Sequence, residues 1–471
     1  MTELLTMSLA QASLALDERK VSSLELVDAL IARAEQINPQ INAFLRIDAE
    51  QARAAAQQAD LERAKGQRRG PLHGLPLAHK DMFYRAGIAS SCGSKVKLPV
   101  PTSTAGALQR LDSAGAIQFG VLNLTEFAFG PTGHNWAFGH CRNPWDTARI
   151  TGGSSSGAAA SVAARANFGA LGSDTGASVR LPACLNGVTG LKTSYGRVSR
   201  AGAMGLSFSL DTVGPLARSA YDCALLLNAI AGPDPLDPTT QGHAVQDYVQ
   251  GINASVRGLR VGVPTHYFNE RVDPRIQALM QQSQDTLQSL GCVLVPVDVG
   301  DMAAANAAAS LLTISEAASF HANLLREQAE RYSKPVRMRI ERGFAVSAPQ
   351  YLDALRYRGP ALDQFCKNVF SKVDVLHAPV VPIATPQVDA SAELAGASWD
   401  ALLGELTRFS RPINYLGLPS LALPAGFLDD GLPSGMQLVG KPFAEALLLR
   451  LGHAYQQATD WHTRVPSINV A

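Results

Sequence analysis

Thr151-Gly152-Gly153-Ser154-Ser155-Ser156-Gly157 leads directly into Ala158-Ala159-Ala160-Ser161-Val162-Ala163. A flexible glycine and serine linker continues into polar residues, whereas this tract continues into small apolar ones able to pack as a helix deep in a core. Fifteen residues after the tract comes Gly172-Ser173-Asp174-Thr175-Gly176-Ala177-Ser178-Val179-Arg180, and well before it Gly74-Leu75-Pro76-Leu77-Ala78-His79-Lys80-Asp81. The apolar run Leu75 to Ala78 places Lys80 at the end of a buried strand. Of the 40 glycines, 16 lie between Gly120 and Gly214, so in this region the backbone itself is brought into close contact with something.

Outward from these segments the chain reads as an α/β body. Short apolar runs such as Ile117 to Leu122 alternate with helical stretches such as Ala105 to Ala114. Residues 21–65 read as two helices. Ser22 and Glu25 form a capping box for the first, Asn38-Pro39 is expected to end it, and the second covers about Asp48 to Lys65. Beyond Pro215 come a helix near Ala220 to Ala231, strands at Leu259 to Val263 and Cys292 to Val297, and a helix Pro274 to Leu290 between them. Residues 303–372 read as a helical insertion or cap, and 373–471 as a return to the first body through strands Val373 to Val381 and Leu421 to Pro424 and a C-terminal helix from Ala444 to Thr459. The expectation is one domain over residues 1–471, with 71–215 as its core.

Charged residues are 17% of the 471 and hydrophobic ones 46%, which excludes global disorder. Lys plus Arg (41) nearly cancels Asp plus Glu (40), so there is no basic surplus to collect phosphates. The six cysteines are scattered without a CxxC pair, no basic leader precedes the first helices, and no 18-residue apolar run occurs. The expectation is a cytoplasmic protein with reduced thiols, no membrane contact and no direct nucleic-acid contact.

A lysine removed from water has its pKa lowered, so a neutral amine becomes available as a general base near pH 7. A serine hydroxyl is a weak nucleophile until such a base takes its proton. Consecutive N–H groups around Gly176 would then cradle an oxyanion. The rival reading is the nucleophile elbow G-x-S-x-G, which Gly153 to Gly157 fits formally with Ser155 as nucleophile. That elbow needs a buried strand before it, and Asn143-Pro144-Trp145-Asp146-Thr147-Ala148-Arg149 is polar and proline-broken. No Walker A loop, HExxH or tight carboxylate and histidine cluster is present, so no metal or organic cofactor is expected.

Lys80, the Gly-Gly-Ser-Ser-Ser-Gly tract and Gly172 to Arg180, in this order, closely resemble the amidase signature family. The first serine of the family's tract lies 24 residues before its nucleophile, as Ser154 lies before Ser178; Lys80 lies 98 before Ser178. The resemblance extends through Gly190-Leu191-Lys192-Thr193 and Ser209 to Pro215, and resumes at Gly417-Leu418-Pro419. It implies an α/β/α sandwich with a mixed central sheet and a Ser-cisSer-Lys triad. In that scheme Ser178 attacks, Ser154 relays the proton, and Lys80 receives it. The N–H groups of Thr175, Gly176, Ala177 and Ser178 form the oxyanion hole, Ser155 hydrogen-bonds Lys80, and Asp174 with Arg180 braces the turn.

Two departures matter. Ala177 stands where the family usually has glycine, which adds a methyl group beside the oxyanion hole. In the A-type members of the family that serve tRNA-dependent amidotransferases, an acidic residue shortly before the late Pro-x-Asn holds the amino group of glutamine. The corresponding Leu406-Thr407-Arg408-Phe409-Ser410-Arg411-Pro412-Ile413-Asn414 has none. The expectation is therefore a stand-alone amidohydrolase for a linear amide, carbamate or urea-type amide, with a small-molecule substrate and with homodimerisation and a partner subunit left open. An A-type glutaminase subunit of an aminoacyl-tRNA amidotransferase is the alternative.

Overall fold

Ser22 Oγ accepts from Glu25 N–H at 3.1 Å while the Glu25 carboxylate accepts from Ser22 N–H at 2.7 Å. The helix Ser23–Ile41 thus starts at its expected cap in the computed structural model, which describes residues 2–468. It does not stop at Asn38-Pro39. Pro39 lies inside the last turn, and the chain leaves the helix only at Asn42, in the left-handed region. Burial of Ile37 and Ile41 on the core stripe outweighs the usual bias of a residue before proline against helix. Asn38 then turns the chain, bonding Phe44 N–H and C=O with its amide side chain.

The strands are β1 Phe44–Ile47, β2 Pro76–Lys80, β3 Ile117–Leu122, β4 Arg142–Asn143, β5 Asp146–Ile150, β6 Gly169–Asp174, β7 Thr189–Lys192, β8 Thr212–Ala217, β9 Arg260–Pro264, β10 Val293–Val297, β11 Val375–Pro379, β12 Ser420–Phe427 and β13 Pro433–Gly440. Eleven of them form one sheet in the order β1-β3-β2-β6-β8-β7-β12-β13-β11-β9-β10, and β4 with β5 makes a separate hairpin. Parallel pairing occurs within β3-β2-β6 and β11-β9-β10, and the other neighbours are antiparallel. The sheet is mixed and flanked by helices, as the sequence led us to expect. Strands β2, β6, β7, β8, β11 and β13 are buried at every position, so none of them needs the apolar and polar alternation of a half-exposed strand.

The accessible surface is 16931 Å². Surface scaling for a folded monomer of this mass gives about 17,000 Å². Helices Met302–Gln328, Lys334–Glu341 and Ala348–Phe365 fill the stretch between β10 and β11. Met302–Gln328 packs on the short helix Arg411–Tyr415, which brings this insertion to the segment beside the turn after β6. Among the described residues no helix is long and apolar enough to cross a membrane.

Candidate active site

Lys80 is the last residue of β2, a strand held between β3 and β6 and buried throughout. Its Nζ lies 2.6 Å from Ser154 Oγ and 2.9 Å from Ser173 Oγ, and none of the three side chains has appreciable exposure. Burial draws the Lys80 pKa down to about 7, against the weaker upward pull of the Asp211 and Asp174 carboxylates. The amine is thus largely deprotonated slightly above neutrality and faces two hydroxyl groups.

Ser154 follows a cis peptide from Gly153. A Cβ on Gly153 would fall 2.7 Å from Gly133 N and 2.8 Å from Gly130 O, so only glycine lets the 130–133 loop close on this peptide. The helix Ser156–Ala163 then continues with all eight residues buried, as its small side chains led us to expect. Its preceding strand β5 buries only Ile150 and lies outside the main sheet, which is not the setting of a nucleophile elbow.

Across from it, β6 ends at Asp174, and residues 175–179 form the turn into the helix Arg180–Asn186. Arg180 and Asp174 are both fully buried and pair through Nε to Oδ2 at 3.0 Å and Nη2 to Oδ1 at 3.1 Å. Burial pushes Asp174 upward, yet the charge and hydrogen bonds of Arg180 outweigh it and hold the carboxyl at about 2. Asp174 also accepts from Val179 N–H and from the Asn414 amide, while Arg180 reaches Gln437 Oε1 and Ser410 O. The turn carrying Ser178 is clamped at both ends by this network. Thr175 donates from Oγ1 to Asp211, which in turn accepts from Leu206 and Ser207 N–H.

Ser178 is 7% exposed and its carbonyl accepts from Ser155 N–H at 3.2 Å, tying the turn to the serine tract. The N–H groups of Gly176, Ala177 and Ser178 donate to no acceptor among the described residues. Ser155 requires a correction: its Oγ bonds the backbone of Ser173, at 3.3 Å to both O and N, and Ser173 occupies the second position at Lys80. The tract turns into the helix at Ser155, which carries its side chain toward β6 rather than β2.

Ser173, Asp211, Asn414 and Gln437 were not singled out from the sequence. Strand alternation held the signal for Ser173, since Asp174 on β6 faces the arginine brace and its neighbour must face the other way. Asn414 and Gln437 lie more than 230 residues from Arg180 in sequence; Asn414 is marked only as the asparagine of the late Pro-x-Asn, and nothing local marks Gln437.

The family model described as Amidase matches residues 25–449. The A-type chain of the glutamyl-tRNA(Gln) amidotransferase of Roseiflexus sp. (strain RS-1) is 40% identical over 100% of both chains. Its counterpart in Halorhodospira halophila is 41% identical over 98% of both. Among solved structures, a vestigial protein complex bearing on the origins of an s-triazine catabolic enzyme contains a chain 34% identical with a TM-score of 0.89, matched over 96% of this chain and 98% of that one. The native peptide amidase of Stenotrophomonas maltophilia is 28% identical with a TM-score of 0.84, over 98% and 99%.

These relatives overturn the expectation that nucleic acid has no place among the chain's direct partners. Their name is that of one component of an enzyme for a tRNA-linked substrate. A net charge of +1 describes the average of a single chain and does not constrain what an assembly containing it handles. With a family model covering most of its length and relatives near 40% identity end to end, the chain belongs to the amidase family.

Proposed function

We propose that the chain cleaves a carbon–nitrogen amide bond through an acyl-enzyme on Ser178, as the amide-cleaving A-type component of an amidotransferase. The contact between a buried lysine of pKa about 7 and Ser154 Oγ at 2.6 Å carries the chemistry. The full-length similarity to A-type relatives of glutamyl-tRNA(Gln) amidotransferases supports membership of an assembly.

In the first half-reaction Ser178 Oγ bonds to the amide carbon, its proton moves to Ser154 Oγ, and the Ser154 proton moves to Lys80 Nζ. The carbonyl oxygen becomes an oxyanion facing the N–H groups of residues 175–178. The C–N bond then breaks, and the leaving nitrogen takes a proton back through Ser154 from Lys80. Water repeats the sequence on the acyl ester, which releases the acid and restores Ser178. Asp174 and Arg180 act by holding the turn, and the Ala177 methyl leaves its N–H in place.

Ser178→Ala is expected to abolish turnover and labelling by a fluorophosphonate, with the label on wild type mapping to Ser178. Unchanged turnover in Ser178→Ala sinks the reading. Ammonia release from glutamine that appears only with a B-type partner supports the role in an assembly. A second reading, a linear-amide hydrolase acting alone, is favoured by the lack of Asp or Glu in residues 406–414, the segment that supplies Asn414 and Arg411 beside the nucleophile turn. Release of amine from carboxamides, ureas or carbamates by the purified chain, with none from glutamine, identifies that case.

A further inference from the structure

At the end of the strands remote from Ser178, a cavity of about 350 Å³ opens between the starts of the helices Leu9–Asp17 and Ala220–Ile230 and the end of the helix Glu445–Gln457. Its size falls in the range of about 300–1,000 Å³ usual for small-molecule sites. Strand β6 leads from this end to the nucleophile turn and β8 leads back, with Asp174 paired to Thr212 and Gly169 to Ala217. At about 3.3 Å per residue the cavity is removed from the turn by roughly 17 Å. Arg165 precedes β6, Arg218 follows β8, and both line the cavity with Tyr221, His453 and His462.

Arg165 is 7% exposed and Arg218 3%, and neither forms an ion pair among the described residues. Arg165 Nη2 donates to the carbonyls of Thr463 at 2.9 Å and Arg464 at 3.3 Å, and Arg218 Nη1 donates to Met7 O and lies over the Phe168 ring. Arg165 Nε, Arg218 Nε and Nη2, and His462 Nδ1 are sealed from solvent without a hydrogen-bond partner among the described residues; Arg165 Nη1 has no partner there either and is open. Burial lowers both guanidinium pKa values, and the charge of Arg165 lowers that of Arg218 further. Asp222 is the nearby carboxylate. It does not line the cavity, accepts from Ala10 N–H at 2.9 Å, and leaves one positive charge of the two uncompensated. Buried arginines ordinarily meet a carboxylate directly, as Arg180 does here. Arg165 also holds φ at +61°, a left-handed backbone natural to glycine, so an arginine is kept where glycine would suit the turn better.

We propose that this cavity binds the phosphate group of a small phosphorylated molecule, with Arg165 in direct contact and Arg218 supplying charge behind it. A phosphate carries about −1.5 to −2 at pH 7 and three acceptor oxygens, which balances two guanidinium groups as a single carboxylate does not. The rings of Tyr221 and His453, 5.6 Å apart on the wall, give the organic portion apolar surface. The site is independent of amide cleavage at Ser178.

Equilibrium dialysis of the full chain against inorganic phosphate, phenyl phosphate and phenylacetate tests this. Both phosphates are expected to bind at one site, phenyl phosphate at least as tightly as the free ion, and phenylacetate at least tenfold more weakly. Arg165→Gly, which suits the left-handed backbone and should keep the fold by circular dichroism, is expected to weaken phenyl phosphate at least tenfold; Arg165→Gln makes the same comparison without the added chain freedom of glycine. Arg356→Gln, an exposed arginine paired with Asp353, should bind as wild type does. On addition of phenyl phosphate, hydrogen exchange is expected to slow at residues 6–11 and 461–464 and not at 172–180. Absence of binding, unchanged affinity in both Arg165 variants, or protection confined to 172–180 overturns the proposal. Binding of inorganic phosphate without phenyl phosphate makes the cavity a place for an adventitious ion only and overturns it too, as does an RNA oligonucleotide that displaces phenyl phosphate from the site. Fluorophosphonate labelling of Ser178 judges the hydrolase reading separately and should be unaffected by phenyl phosphate; blocked labelling would move the bound phosphate to the catalytic centre and end the proposal.

Discussion

Lys80 and Lys192 make an instructive pair. Each ends a central strand, β2 and β7, each is fully buried, and burial lowers each pKa to about 7. Neither forms an ion pair among the described residues, and Asp174, neutralised by Arg180, is the carboxylate they share at longer range. Their hydrogen-bond partners differ. Lys80 meets the hydroxyls of Ser154 and Ser173, whereas Lys192 donates to the carbonyls of Thr193 at 2.9 Å and Leu418 at 2.7 Å. A hydroxyl both gives and takes a proton; a carbonyl only accepts. A lowered pKa is thus not enough to make a base, and the partner decides whether the proton has somewhere to travel.

The sharpest way to break this comparison is to remove each amine. Lys80→Ala is expected to lower kcat by about 10⁴-fold, the upper range for loss of a positioned general base, with the fold retained in circular dichroism. Lys192→Met is expected to keep kcat within about tenfold and to lower stability instead, because two buried carbonyls lose their donor at about 1–3 kcal/mol each. The melting temperature then drops by several degrees, about 2–4 °C per kcal/mol in a large domain. Equal losses of kcat in the two variants would show that proton transfer does not distinguish them.

The same contrast predicts a pH profile. In the proposed mechanism Lys80 works as the neutral amine, so kcat/KM is expected to rise with pH through an apparent pKa of about 7 and to fall tenfold per unit below it. Lys192 has a similar pKa but exchanges no proton with substrate, so Lys192→Met should leave the position of this limb unchanged. The measurement is kcat/KM from pH 5 to 9 in wild type and in Lys192→Met; a limb that disappears or moves in the variant would reverse the assignment.

The difference between the lysines was only partly legible in sequence. Lys80 stood out because an apolar strand runs straight into it, and Asp174 and Arg180 because they bracket one serine within seven residues. Lys192 ends a similar apolar run in Gly190-Leu191-Lys192-Thr193, and only its partners, one of them 226 residues away, separate the two. Long-range pairing also hid β13, Pro433–Gly440, whose two glycines, proline and Gln437 break any strand pattern; it forms because β12 and β11 bond it on both sides. Helix Gly396–Thr407 escaped notice for a related reason, starting at a glycine with no side-chain cap. Pro39 shows the converse, a clear local stop signal overridden by the burial of its neighbours.

The smallest expected effect concerns Ser173, which separates a relay from a mere hydroxyl contact. Lys80 Nζ is closer to Ser154 than to Ser173, at 2.6 against 2.9 Å, and Ser173 Oγ also contacts Met82 Sδ at 3.0 Å. The thioether is a poor acceptor, so the proton of Ser173 has no productive onward path. In the proposed mechanism Ser173 therefore orients the amine without carrying the proton. Ser154→Ala interrupts the path itself, whereas Ser173→Ala removes one hydrogen bond, worth about 0.5–1.5 kcal/mol, and should lower kcat by about tenfold or less. Because its position is at the amine, this loss should accompany a small displacement of the acid limb, with KM unchanged. A Ser173→Ala protein as inactive as Ser154→Ala would instead place both hydroxyls in the proton path, and the distinction drawn between Lys80 and Lys192 would then rest on two relays rather than one.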